Sequence, residues 1–335
     1  MKKFLLATTA LVGFAGAAAA EVKVGLTAEF GVSNRDGSGT QFHQGYNVKF
    51  SGSAETDGGL AFGASTRLDM DATSEENQNP LGDAGTVFIS GAFGKLTMGD
   101  TDGGFDWAMA EHSFITNLTD EISTHAGFDT HSGFDGKQDD QVLRYEYKMG
   151  DLAVAASYEQ ANNGDTTDLS DSMGLGVKYK MAMGTTSVAL GLGYQTGSNG
   201  SNPANVAAVA YNPTTGAAAT SAVVASTDGS VVGASVTASM ENGLTLGLSY
   251  ASYSFDSTDV SGAASTAEDY TTTGIAVAYT AGAMTVAANW GQKDYDTSAD
   301  EDGWGAGVNY DLGGGAVVQA GMYEDGYSVG LGMSF

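Results

Sequence analysis

The chain ends in GYSVGLGMSF, residues 326–335. Tyr327, Val329, Leu331, Met333 and Phe335 alternate with Ser328, Gly330, Gly332 and Ser334. Alternation with period two marks a β-strand with one apolar face, because successive side chains point to opposite sides. Chain ends usually fray into water. This strand instead runs to the last residue and finishes on an aromatic ring. Pairing the last strand with the first leaves the sheet no free edge. Phe335 then faces lipid, with its carboxylate close to Glu21 at the start of the first strand.

The same period runs back through the chain. Leu143, Tyr145, Tyr147 and Met149 alternate with Arg144, Glu146 and Lys148. Leu244, Leu246, Leu248 and Tyr250 alternate with Thr245, Gly247 and Ser249. The pattern predicts strands over 21–33, 41–54, 59–71, 84–91, 95–100, 140–149, 151–161, 170–182, 185–196, 229–240, 243–255, 269–280, 283–293, 302–311, 315–324 and 326–335. That is an even set of sixteen, most of them long enough to cross a bilayer at a tilt. Short Gly, Asn or Asp turns (56–59, 92–94, 149–151, 241–243, 281–283, 312–315) alternate with longer polar segments (72–83, 101–139, 162–169, 197–228, 256–268, 294–301). Short turns at one rim and long loops at the other are the layout of a transmembrane barrel.

Residues 1–20, MKKFLLATTALVGFAGAAAA, read as a secretory signal peptide: a Lys2-Lys3 start, an apolar stretch and an Ala18-Ala19-Ala20 cleavage site. An anchor helix is the alternative, but the apolar run is short. Residues 21–335 then form one barrel. Losing the two lysines leaves 11 basic against 40 acidic residues, a net charge of −29. A chain this acidic is not expected to bind nucleic acid through phosphate contacts, which need basic clusters. With no cysteine there is no disulfide framework and no thiolate chemistry.

Alternation alone also fits a soluble sandwich. Three features favour a barrel in the outer membrane of a Gram-negative bacterium. The leader exports the chain. The face opposite the apolar one carries glycines and scattered charges. Phe30, Phe50, Tyr158, Tyr194, Tyr279, Trp290, Trp304 and Tyr310 sit near strand ends, where Tyr and Trp suit the headgroup level. The fold class is thus all-β: a 16-stranded antiparallel transmembrane β-barrel, wide enough for an aqueous lumen.

GTVFISGAFGKLTMGD at 85–100 resembles the general diffusion porins of alphaproteobacteria, as do EVKVG at 21–25, GLAFGAS at 59–65 and NYDLGGGA at 309–316. The resemblance is strongest in the short turns and adjoining strands and weakest in the long loops. It implies a homotrimer in outer-membrane lipid and lipopolysaccharide. Each barrel is a channel for passive diffusion of small hydrophilic solutes and ions, narrowed by an inward-folded third loop. It also implies that terminal Phe335 serves as the signal read by the outer-membrane assembly machinery. Small residues at Ala153–Ala156, read as lipid-facing, would allow close contact between barrels.

The longest inter-strand segment, 101–139, follows the fifth strand, where the third loop belongs. Residues 107–118, WAMAEHSFITNL, are read as a short helix packed on the wall, with Phe105, Trp107 and Phe114 as anchors. Asp100, Asp102, Asp106, Glu111, Asp120 and Glu121 supply the acidic side of a constriction. Lys23, Lys49, Arg67, Lys95 and Arg144, at inward strand positions, supply the basic side. Facing charges would set a transverse field across a narrow pore, and the acid excess predicts cation preference. No cofactor is required. Calcium at Asp69-Asp71, Glu75-Glu76 or Asp139-Asp140 is possible, since carboxylate oxygens suit it.

Other classes read less well. His112-Ser113, His125 and His131, beside Asp120 and Asp129, have the residue types of a hydrolase. Their spacings match no catalytic motif, and no G-x-S-x-G elbow sits at a strand–helix turn, so the chain is not read as an enzyme. A substrate-specific channel needs a run of aromatic rings along the lumen. The inward positions read mainly as Gly, Ala, Ser, Thr and charges, with Trp107 and Phe105 as the rings available to a ligand. An adhesive role would rest on the Ala/Thr/Ser-rich loop 197–228, which specifies no partner.

Overall fold

The computed structural model describes residues 21–35, 39–71, 85–118, 133–136, 141–160, 171–199, 227–257 and 268–335. The signal peptide and most of loop 197–228 lie outside them. The strands are β1 (Glu21–Asn34), β2 (Gln41–Glu55), β3 (Ala61–Asp71), β4 (Gly85–Gly91), β5 (Gly94–Gly99), β6 (Val142–Met149), β7 (Leu152–Glu159) and β8 (Ser172–Met183). They continue as β9 (Thr186–Asn199), β10 (Thr227–Met240), β11 (Leu244–Ser257), β12 (Tyr270–Ala281), β13 (Met284–Tyr295), β14 (Glu301–Gly313), β15 (Ala316–Tyr323) and β16 (Gly326–Ser334). Each pairs antiparallel with its sequence neighbours, and β16 closes on β1 into one barrel. Among the described residues no helix is long and apolar enough to cross a membrane; the strands do the crossing.

The closure differs in register from the sequence expectation. Thr27 pairs with Ser334, so Phe335 lies opposite Leu26, donating to its carbonyl at 2.9 Å. Glu21 lies farther along β1 and pairs with Ser53 on β2. Tilted strands must stagger for a sheet to close. The stagger carries the start of β1 past the end of β16 and away from the terminal carboxylate.

Pleating sorts the faces. Phe30, Phe50, Tyr158, Tyr194, Tyr279, Trp290, Trp304 and Tyr310 are all exposed on the outer, apolar face. Ser235, Ser249, Asn289, Gln319 and Ser328 are buried on the inner one. The same alternation corrects the reading of Ala153–Ala156. Val154 and Ala156 face out, while Ala153 lines an inner cavity and Ala155 is buried. A strand cannot present four consecutive residues to one side.

The connection between β5 and β6 contains one short helix, α1 (Gly104–Ala108), earlier than the 107–118 expected. Residues 109–118 have no helical turn. Their backbone is held by the wall, which displaces the helical hydrogen bonds that the local sequence suggests.

Candidate functional site

Residues 103–118 lie on the inner face and touch the strands in order. Gly104 N donates to Ser157 Oγ on β7 at 2.7 Å, and its carbonyl rests on Gly176 of β8. The Ala108 carbonyl rests on Gly191 of β9. Ala110 N donates to Ser235 Oγ on β10 at 3.0 Å. His112, fully buried, meets Thr237 Oγ1 through Nε2 at 3.0 Å and covers Gly247 of β11. Ile115 packs on Ala278 of β12 and Ala287 of β13, with Phe114 alongside. The Thr116 hydroxyl lies 2.9 Å from the Asn309 amide of β14, and Leu118 covers Gly31 and Gly330 at the β1–β16 seam.

The residue types explain this path. A backbone laid on a wall needs partners for its N–H groups, and wall hydroxyls supply them. Close approach needs a wall without side chains. A Cβ on Gly176 or Gly191 would overlap the loop carbonyl above it. Phe105, fully buried, enters a recess among Gly193, Gly233 and Gly133.

A second clip comes from residues 133–136. Gln195 accepts from Phe134 N at 2.9 Å and donates to Asp135 Oδ1 at 2.6 Å and Ser172 Oγ at 2.8 Å. Asp135 also accepts from Gly103 N at 2.5 Å, tying the return of the loop to its start. Phe134 packs edge-on against Tyr253 and Phe255. Burial is the main cause that raises the Asp135 carboxyl to about 6, with the Gly103 and Gln195 hydrogen bonds opposing. Asp106 is pushed up to about 8, first by burial and then by the charges of Asp102, Asp135 and Glu111. Glu111 is raised by burial and by Asp102.

The structure divides the expected charged residues among several places. Asp100, Asp102 and Asp106 join Asp135 around a cavity of about 180 Å³. Glu111 lies farther along the loop; Asp120 and Glu121 lie outside the described residues. Lys23, Lys49 and Arg67 project inward from β1–β3. Lys23 is 3.1 Å from Glu21, Arg67 is 2.6 Å from Asp69, and Lys49 faces Arg67 across the ladder. Arg144, nearly buried, pairs with Glu146 at 3.0 Å and donates to the Asp102 carbonyl. It holds the start of the loop. Lys95 points inward over the Phe88 ring, 5.1 Å away.

Sequence reasoning missed several inward side chains. Asp135 shares the loop with the acids named from sequence. Lys148, Lys178 and Lys180 project from β6 and β8, and strand parity alone would have placed them. The same holds for Tyr253, Tyr270 and Tyr295. Tyr253 and Tyr270 stack with centroids 4.4 Å apart, Tyr270 and Tyr295 lie 5.5 Å apart, and Lys293 sits 4.2 Å from the Tyr270 centroid. Phe105, fully buried, is closed to any solute, whereas Trp107 remains partly open.

Of the carboxylates named for calcium, only Asp69 has a described side chain. Asp69 is engaged by Arg67 and Asn47. The other candidate carboxylates lie outside the residues whose side chains are described. Among the described residues no three His, Asp or Glu side chains are grouped to hold a metal ion.

A closed sixteen-strand barrel with an apolar outside, a polar inside and a loop along its inner wall defines a membrane channel. The comparisons place it in a family. The profile of the Gram-negative porins matches residues 7–329. A Rhodobacter capsulatus porin is 31% identical over 307 residues, covering 91% of this chain and 94% of the relative. A porin structure refined at 1.8 Å superposes with a TM-score of 0.69 at 27% identity, covering 94% of this chain and all of the other. A triple mutant of Rhodopseudomonas blastica porin shares the fold, with a TM-score of 0.63 at 19% identity and the same coverage. The chain belongs to the Gram-negative porin family. It is an outer-membrane channel protein and not an enzyme.

Proposed function

We propose that the chain is a general diffusion porin: a homotrimer whose barrels pass small hydrophilic solutes and ions passively, with preference for cations. The carrying observation is the segment 103–118, which follows the inner wall of the barrel from β7 to the β1–β16 seam. Asp102, just before this segment, and Glu111 within it are both exposed, and Lys23, Lys49 and Arg67 project from β1–β3. A solute crossing between these groups meets charges of opposite sign on the two sides, which favours molecules with dipoles or hydrogen-bonding groups. The net charge of −29 for residues 21–335 supports cation preference, because a negative field concentrates cations and excludes anions. The trimer rests on the likeness to alphaproteobacterial general porins.

The test is single-channel recording in a planar bilayer under a potassium chloride gradient. The reading predicts steps that close in thirds and a reversal potential of cation-selective sign. An anion-selective reversal potential would overturn the preference, and steps that never group in threes would overturn the trimer.

A further inference from the structure

Between α1 and the short-turn rim, the inner wall holds a cavity of about 440 Å³. Four lysines line it: Lys95 on β5, Lys148 on β6, and Lys178 and Lys180 on β8. The ladder explains the grouping, since Lys148 and Lys178 both flank Ala153 of β7. The ring of Trp107, 4.4 Å from Lys178 Nζ, supplies an apolar flank.

The cavity contradicts the charge of the chain around it. The whole sequence has 13 basic and 40 acidic residues, yet here ammonium groups dominate. Two carboxylates also line the cavity. Glu146 is engaged by Arg144 at 3.0 Å, which leaves Asp151 against four lysines. Among the described residues none of the four lysines has a carboxylate within ion-pair distance. Like charges gathered on one wall repel one another, and an anion placed among them relieves that repulsion. The volume lies in the range of small-molecule sites.

We propose that this cavity is a binding station for small organic polyanions, solutes carrying two or more carboxylate or phosphate groups, on the periplasmic side of the loop. Four ammonium groups brought by three strands engage separated anionic groups better than a single chloride. The station works within the proposed open pore: polyanions that pass the acidic loop, or approach from the periplasm, are held here. A channel of overall cation preference thereby carries a local anion site.

Trp107 reports on the cavity directly. The chain has three tryptophans, and the other two, Trp290 and Trp304, are exposed on the outer face. The full-length protein with Trp290→Phe and Trp304→Phe, folded in detergent, is titrated with citrate and with inorganic phosphate while Trp107 emission is followed. A saturable change is expected with citrate, weaker with the single-group phosphate and absent with chloride at matched ionic strength. Adding Lys148→Gln and Lys180→Gln, which leaves the Lys178–Trp107 contact in place, should raise the midpoint by about tenfold or more. No saturable change with citrate, or an unchanged citrate midpoint in the lysine variant with its β-sheet circular dichroism intact, would overturn the proposal. The titration needs no current, so it stands or falls separately from conduction.

Discussion

Gly176 has no side chain, and the carbonyl of Gly104 lies where its Cβ would be. The high glycine content, 49 residues, has part of its use here: a smooth inner wall on which a second layer of backbone can lie. Phe105 fixes that layer, because it is the large apolar side chain that fills the glycine-lined recess. Truncating a buried Phe costs about 3 kcal/mol or more. Phe105→Ala should therefore loosen the loop while the barrel ladders persist. Limited proteolysis is the readout: cleavage within residues 101–139 should quicken in the variant, and cleavage no faster than in the parent would show that Phe105 is not the anchor. The residue scale was only partly legible in the sequence. Parity placed Lys23, Lys49, Arg67, Lys95 and Arg144 on the inner face. It could not show that Arg144 turns to the loop backbone and Glu146, because that depends on where the loop lies.

At the scale of the element, the loop segment carries its own pH dependence. Asp135 is held at about 6 and Asp106 at about 8, above the ordinary 3.8. Groups held above their ordinary value bind protons more tightly in the docked loop than in a free one. Docking is therefore best supported in acid, below the ordinary carboxylate value, and weakens as pH rises through about 6 and then about 8. Over the same range the lumen gains negative charge. Cation selectivity, read from reversal potentials between about pH 5 and about pH 9, should rise in two stages, and Asp106→Asn should remove the upper one. A flat profile would contradict the assignment. The strands themselves were legible, because a period of two survives even where the inward residues are glycines. The helix was not. The WAMAEHSFITNL stretch has helix-forming residues, but its N–H groups and side chains find Ser235, Thr237 and Asn309 on the wall, and those partners belong to strands more than a hundred residues away. The stacked Tyr253 and Tyr270 were legible by parity, but the inward positions were read as mainly small residues and charges.

At the scale of the whole molecule, closure and charge act together. Pairing β16 with β1 removes the open edge that a bilayer does not tolerate, and sixteen strands give an interior too wide for side chains alone to fill. The space left is set by residues 103–118, which line the wall from β7 to the β1–β16 seam. The sequence carried the barrel, its even strand count and its short-turn rim. The closing register and the placement of the loop needed three dimensions, because shear and long-range contacts leave no local pattern. The central claim is that this segment narrows an open channel. Its most direct test is the single-channel conductance of the parent beside Gly176→Val, whose side chain cannot coexist with the Gly104 carbonyl. The account predicts that the variant forms barrels of normal heat resistance whose conductance is larger than the parent's and noisier. An identical conductance in the two proteins would mean that the loop does not limit the pore.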